Sequence, residues 1–536
     1  ARAKRPAPVA RPRYGSRPPR QRALALTGWG RARPLGRVTE ATGIPGWALV
    51  AGVAAWVLML ALWAGGATKG SFAVFLATLL CAALATGALA ASAAKGKEGL
   101  RGARAGVLVV LAAAVPVIFD PHTGDVFNLP KYTIVVIGAL VLAGLWAIAA
   151  AHNRAVPHWR NGLQWVVAAI IIWTLVSALA AMDVHVGLLG NYGSYDGFYS
   201  AASFAMVMMA AAEAFDVDDV RRALAALAFA GGTVVVVYGL IQLHDSEVGG
   251  AKWDFIKWHL GSFSQQVFST FGNPNHLAGY LAMLLPVVLV VGLRSRRWFL
   301  RGAAVLLALA LATELLRSSA RGAWVAAIAA LVVLALMLAP ELRRRPFLSS
   351  GSAVAVVAAA AIGMAFGGSR FLSHSLSTLF QSGGHTSVEQ RFQIWSAAAH
   401  MAVNHPIVGI GPDNFALVYP HYQSASWVAG LGPNFLVNGA HDIFMNVLAD
   451  QGFVGLVLFL ALLAYIGARS VGAWRRLRSL ELTETGESES DDITQRAQAH
   501  RALVAATTAS ITAYVVKAAF NVQQVGLSFT FWLLVG

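Results

Sequence analysis

A few polar side chains, set among long apolar runs, are the ones whose types and spacing suit chemistry. Arg317 and Arg321 fall in Glu314-Leu-Leu-Arg-Ser-Ser-Ala-Arg321-Gly-Ala-Trp, and Arg321 stands beside Gly322, where a backbone can come close to an anion. Arg391 and Trp395 share a short segment, Thr386-Ser-Val-Glu-Gln-Arg391-Phe-Gln-Ile-Trp395. His441 follows the turn signal Asn438-Gly439, so it is expected in the first turn of a helix, where the positive end of the dipole favours neutral imidazole, a form that can take a proton. Asn273, Asn275 and His276, in Phe271-Gly-Asn-Pro-Asn-His276, offer hydrogen bonds to a polyhydroxy ligand. Tyr195 and Asp196, in the Gly- and Tyr-rich stretch 188–198, add a ring that could stack on a sugar.

Each of these residues also has a plainer reading. Glu314 and Arg317 at i,i+3 can neutralise each other, with both arginines snorkelling at helix ends. Arg391 can be a surface residue paired with Glu389 or Gln390. His441 shares a register with Phe444, Met445 and Leu448, which suits a core histidine. Asn273 can serve as an N-cap before Pro274, and the Tyr-rich stretch can simply anchor a membrane interface.

The elements that must hold these residues are membrane helices. The chain is 57% hydrophobic and 12% charged, with a mean hydropathy of +0.61, far from a soluble domain. Apolar runs near 46–66, 71–94, 105–119, 131–151, 163–181, 197–213, 222–243, 276–293, 302–316, 322–339, 349–367, 453–473 and 502–521 are long enough, or nearly so, to cross as helices. A last run, 525–536, is too short, which predicts an all-α polytopic protein of about 14 transmembrane helices with the final one cut. Residues 1–45, rich in Arg and Pro, read as a disordered basic arm, 46–369 as spans, 370–452 as an extracytoplasmic loop with amphipathic helices, and 453–536 as the last spans around an acidic linker near 480–495.

Charge sets the expected orientation. With the first segment inside, 32 of the 41 Lys and Arg fall on inner segments, which puts the 370–452 loop outside. The net charge of +16 therefore reflects topology, and no segment interleaves basic and stacking residues as a nucleic-acid face would. Cys81 is the single cysteine and excludes an internal disulfide. No zinc-hydrolase, nucleotide-loop or Cys/His metal spacing occurs, so neither a metal nor a cofactor is implied. Asp216-Val-Asp-Asp219 reads as a charged loop. Within the 370–452 loop, Thr386-Ser-Val-Glu389 fits a capping box, and Val388, Phe392, Trp395, Ala399 and Ala402 mark the expected buried stripe of a helix ended by Pro406.

Taken together, Phe271-Gly-Asn-Pro-Asn-His-Leu-Ala-Gly279, Ser319-Ala-Arg-Gly-Ala-Trp324, Arg391 with Trp395, Gly409-Ile-Gly-Pro-Asp-Asn414, and His441 ahead of Leu448, Gly452 and Gly455 resemble the O-antigen ligase and polymerase superfamily of bacterial membrane glycosyltransferases. The resemblance covers roughly 180–475. It implies a GT-C-type helical fold in the bacterial cytoplasmic membrane and metal-free transfer of a glycan from an undecaprenyl-diphosphate carrier to an acceptor hydroxyl on the outer face. The acceptor, whether glycan, lipid or protein, would distinguish a ligase from a polymerase or a protein O-oligosaccharyltransferase. It further implies that Arg321 and Arg391 hold the diphosphate while His441 accepts the hydroxyl proton, giving inversion, with Arg317, Asn273, Asn275, His276, Asp196, Tyr195, Trp395 and Asn414 around the substrate. A polytopic transporter or lipid flippase is the reading from another class. Against it, Glu314 and Lys517 lie toward the outer ends of their runs and the polar features gather in outer loops. An inactive envelope scaffold is a third.

Overall fold

A computed structural model describes residues 97–120, 123–153, 162–248, 267–292, 294–295, 297–344, 387–432, 437–483 and 488–536. The basic arm, the runs at 46–66, 71–94 and 349–367, and the capping Thr386 lie outside the described residues. Within them every regular element is helical. In chain order these are α1 (Lys97–Val117), α2 (Asn128–Asn153), α3 (Gly162–Leu179), α4 (Val184–Leu189), α5 (Phe198–Ala214), α6 (Val217–Ala225), α7 (Gly232–Val248), α8 (Pro274–Val287), α9 (Trp298–Arg317), α10 (Arg321–Arg344), α11 (Ser387–Asn404), α12 (Phe415–Val418), α13 (Ala425–Leu431), α14 (Ile443–Thr483), α15 (Ser488–Ala518) and α16 (Val525–Val535). A π-helical turn, Ala226–Gly231, joins α6 to α7.

Eight of the described helices are long and apolar enough to cross a membrane, where about 14 were expected from the whole chain. α15 is missing from the eight for a physical reason. Its second half alternates Ala with Ser and Thr, and Ala502, Ala505, Ala506, Ala509, Ser510 and Ala513 are fully buried. Small residues let backbones approach closely, and α15 packs against α8, α10 and α14 as the bundle's central helix. Ser510 Oγ donates to the Met283 carbonyl of α8 at 2.7 Å. The span built on α8 is 78% buried and apolar all round, whereas that of α9 is 22% buried, which separates interior from lipid-facing helices.

The two ends of the bundle differ. At one end Arg101 pairs with Asp219 at 2.9 Å and Asp216 at 3.2 Å, and Arg104 with Glu213 at 3.2 Å. Asp216 and Asp219 form a capping box that starts α6, so the stretch expected as a charged loop is a helix N-terminus. At the same end residues 480–483 and 488–495 of the expected acidic linker belong to α14 and α15, and 484–487 lie outside the described residues.

The opposite end carries the polar loops, and there α11 to α13 build a second small core. Ile394, Ala397, Ala398 and Met401 of α11 pack with Phe415, Tyr419, Trp427, Val437, Ala440 and Ala449. The buried stripe therefore runs through Ile394, Ala398 and Met401 rather than through Phe392, which is 62% exposed. Two alanines at 397 and 398 let α11 lie close to the rings of Phe415 and Tyr419, and that contact sets the rotation of the helix. Arg391, one turn before Ile394 and Trp395, is thereby left half-buried at the edge of the packed face.

Candidate functional site

The loop end is locked by the turn Gly409-Ile-Gly-Pro-Asp-Asn414. Gly409, Gly411 and Asp413 all have positive φ (71°, 100° and 59°), and a Cβ on Gly409 or Gly411 would collide with Asp450 or Ala181. This packing lets the Ile410 and Gly411 N–H groups donate to the Ala449 and Asp450 carbonyls at 3.0 and 2.9 Å. The buried Asp413 carboxylate accepts from Ser194 Oγ (2.6 Å) and from the N–H groups of Asn191 (2.6 Å) and Asp196 (3.1 Å). Asn414, fully buried, accepts from the Asp183 N–H at 2.8 Å. The turn thus ties 182–196 to the first turns of α14. Gly452, at φ 69°, kinks α14 where a Cβ would strike the Ile407 carbonyl.

His441 sits just outside α14 rather than in its first turn. Asp442 is the cap, its Oδ1 accepting from the N–H groups of Phe444 (2.8 Å) and Met445 (3.0 Å). The preceding Ala440 is held from both sides: its carbonyl accepts from Trp395 Nε1 at 3.0 Å and its N–H donates to Asn446 Oδ1 at 2.9 Å. So clamped, the chain turns through His441 at φ 53°, a left-handed conformation uncommon for a non-glycine residue. The side chain is hydrogen-bonded to Asn521 in the α15–α16 turn.

That turn is where the separate elements meet. A Cβ on Gly322, next to Arg321, would lie 2.9 Å from Phe520 Cβ, and one on Gly439 would lie 3.4 Å from Val522. The absence of a side chain at both glycines brings the start of α10 and the His441 segment onto residues 520–522. Arg391 faces the charges of Arg321 and Asp442; His441 faces those of Arg391 and Lys517; His276 faces those of Lys517 and His441. Burial first, and then the Arg391 charge, push the His441 imidazole below its usual range, which leaves it neutral and able to accept a proton at pH 7. Burial and the neighbouring Arg321 lower Arg391 too, but a guanidinium stays charged.

Arg321, Arg391, His441 and His276 thus come from α10, α11, the pre-α14 segment and α8 into one electrostatic neighbourhood. Asn273 caps α8, its side chain accepting from the Asn275 N–H at 2.8 Å, while Asn275 itself is exposed. Tyr195 is buried and stacked on Tyr132, ring centroids 4.8 Å apart, so the exposed ring of that loop is Tyr192. Asp196 joins Asp413, and burial followed by that neighbouring charge raises its carboxyl well above the usual range. Arg317 ends α9, but the expected Glu314–Arg317 pair is absent: Glu314 is fully buried and neither of its carboxyl oxygens has a hydrogen-bond partner. Its oxygens lie over Gly239 of α7 instead, because α9 turns that position inward. Lys517 and Asn521 were not singled out as site residues; the signal available was one cation closing an otherwise uncharged Ala/Ser/Thr run.

No curated protein matches the chain. Residues 306–460, from α9 through the loop into α14, match the family model described as O-antigen ligase. That family is one of O-antigen ligase- or polymerase-like membrane glycosyltransferases. The segment contains Arg321, Arg391 and His441, and over residues 306–460 this chain is similar to the O-antigen ligase family.

Proposed function

We propose that the chain transfers a glycan from an undecaprenyl-diphosphate carrier to an acceptor hydroxyl at the outer face of the bacterial cytoplasmic membrane. The observation that carries this reading is the meeting of two guanidinium groups, Arg321 and Arg391, with a neutral imidazole, His441, at one end of a helical bundle. A guanidinium pair suits a diphosphate, and it offsets the charge that develops on the leaving group without a metal. The acceptor oxygen attacks the anomeric carbon, its proton passes to the His441 imidazole, and the bond from that carbon to the phosphate oxygen breaks with its electron pair leaving on the carrier diphosphate. Attack opposite the leaving group inverts the anomeric centre. The charge asymmetry of the sequence supports an outward-facing site, and the family supports a GT-C-type bundle with more spans than the eight described.

The test is transfer by the purified chain in nanodiscs, supplied with a lipid-linked oligosaccharide and an acceptor glycan. His441→Gln is expected to lower the rate by about 10²–10⁴-fold. A His441→Gln protein with the parental rate would remove the base from this scheme. Lipid analysis of a deletion strain then separates the acceptors, since stranded full-length polymer on the carrier marks a ligase and single repeat units mark a polymerase.

A further inference from the structure

Among the described residues, Lys517 is a cation without a counter-charge in the interior of the bundle. It ends α15 and is 3% exposed, so it does not snorkel to water or headgroups. Its hydrogen bond is a long one, 3.5 Å from Nζ to the Val522 carbonyl, and no carboxylate among the described residues faces it. The stem lies across α8, where a Cβ on Gly279 would be 2.9 Å from Cε; the glycine leaves the room that the lysine occupies. On the same face of α8, one turn earlier, His276 presents Nδ1, buried and without a partner. Both groups lie within electrostatic reach of each other, and His441 is within reach of both.

A buried ammonium costs several kcal/mol unless something compensates it. The groups that face this ammonium are His276 and His441, and Asp442, the acid that faces Arg391 next to His441, already accepts two backbone N–H groups as the α14 cap. Among the described residues no acid faces the ammonium, and an anion brought in from outside would balance it. A structural cation would be placed beside an acid or a set of carbonyls; this one has a single long contact to one carbonyl and faces two imidazoles.

We propose that Lys517, with His276 Nδ1 beside it, forms the inner part of a diphosphate-binding site, the ammonium bonding a phosphate oxygen on the side away from Arg391. This rests on the glycosyltransferase reading above and adds to it a binding residue from α15, outside the 306–460 segment. Lys517 fixes how deep the diphosphate sits: it draws the leaving group down to the level of α8 while the arginines hold it from above.

Binding of farnesyl diphosphate, farnesyl monophosphate and inorganic pyrophosphate to the full chain in nanodiscs tests this. Lys517→Met is expected to weaken farnesyl diphosphate binding by about 10–100-fold and to leave Tm unchanged or raised, because the buried charge is gone. Lys517→Arg should recover part of the binding. The monophosphate should bind more weakly than the diphosphate to the parent and lose less in Lys517→Met. Tighter farnesyl diphosphate than pyrophosphate assigns the site to a lipid-linked anion, equal affinities to the free anion, and either supports the diphosphate chemistry. If Lys517→Met binds like the parent while Arg391→Ala does not, the lysine proposal is overturned and the glycosyltransferase reading stands. A lower Tm in Lys517→Met marks a structural lysine and overturns it as well. If the parent binds none of the three, both readings fall.

Discussion

Two charged clusters flank the segment that carries His441, and they are wired in opposite ways. The acidic one, Asp413 with Asp196 and Asp450, is bonded largely inward: Asp413 takes three hydrogen bonds from the 191–196 loop, and Asp450 Oδ2 accepts from Asn446 at 2.9 Å, with Asp450 Oδ1 left without a partner. The cationic one, Arg321, Arg391, His276, His441 and Lys517, includes groups short of bonds: Lys517 is held by one long contact and His276 Nδ1 has no partner, while His441 is held by Asn521. A buried group whose hydrogen bonds are satisfied by its own chain contributes to the fold. One that is left short of partners is costly unless a ligand supplies them. The same end of the bundle therefore holds a framework and the receptor proposed above, and the two should respond differently to substitution.

The largest expected effects come from crossing the clusters. Arg391→Ala should lower glycan transfer by about 10²–10³-fold, the usual cost of losing one donor to a developing charge. Its Tm should stay near the parent's, since the residue is half-buried and repelled by Arg321. Asp413→Ala should do the reverse in order. Three partly buried donors lose a charged acceptor, and the chain should lose about 3 kcal/mol of stability, read as a lower Tm, with activity lost only as the loop unfolds. Thermal unfolding and transfer, measured on both variants at a temperature where each is folded, check this. Equal Tm losses in the two would erase the distinction between framework and receptor.

A pH profile sharpens the same contrast. His441 has a folded pKa below its ordinary 6.5, with burial the larger cause and Arg391 the next. The base works when neutral, so the transfer rate should rise with pH through that lowered value and be flat from about pH 7 upward. In Arg391→Ala the residual rate should turn on at higher pH, closer to 6.5 but short of it, because burial remains. Stability carries the matching sign. As pH falls from 6.5 to the lowered folded value, the unfolded chain takes up a proton that the folded imidazole does not, so acid should destabilise the protein in that window. A rising limb that does not move in Arg391→Ala would separate the arginine from the histidine.

How much of this was legible in the sequence varies with the physics involved. Helical spans could be read directly, since a lipid-exposed helix must be apolar along some 20 residues. The central helix was readable too, as the run 502–521, although α15 has its Ser and Thr carbonyl-bonded, as Ser510 is to Met283, which lowers its hydropathy. Arg321, Arg391 and His441 each stand beside a turn or an apolar run, but it is the resemblance to the ligase and polymerase superfamily that singles them out. Their meeting point could not be read, because it depends on Gly322 and Gly439 approaching residues 520–522, far along the chain. Asp413 looked like part of a Gly-Pro turn, and only the three donors gathered on its carboxylate reveal it as a hub. Tyr195 and Asn414 show the converse, being polar loop residues with the right types for a sugar that are used to join their loops to the rest of the fold. Glu314 had a neighbour at the correct helical spacing, yet side-chain direction turned it toward Gly239.

The smallest expected effect tests the joint between the clusters. Asn446 touches both: its Oδ1 accepts from the Ala440 N–H and its Nδ2 donates to Asp450. Trp395 bonds the other side of Ala440. Together they hold the residue before His441, so each should contribute about 1 kcal/mol, the net worth of a hydrogen bond. Trp395→Phe and Asn446→Ala should each reduce kcat by roughly five- to tenfold, with KM for the lipid-linked donor unchanged, because neither reaches the cations that bind it. If the two bonds hold one conformation of His441, either loss frees the segment and the double variant should be only slightly slower than the worse single one. Fully additive losses would mean that the two bonds act independently, and that the left-handed turn at His441 is maintained by Asp442 and the α14 cap instead.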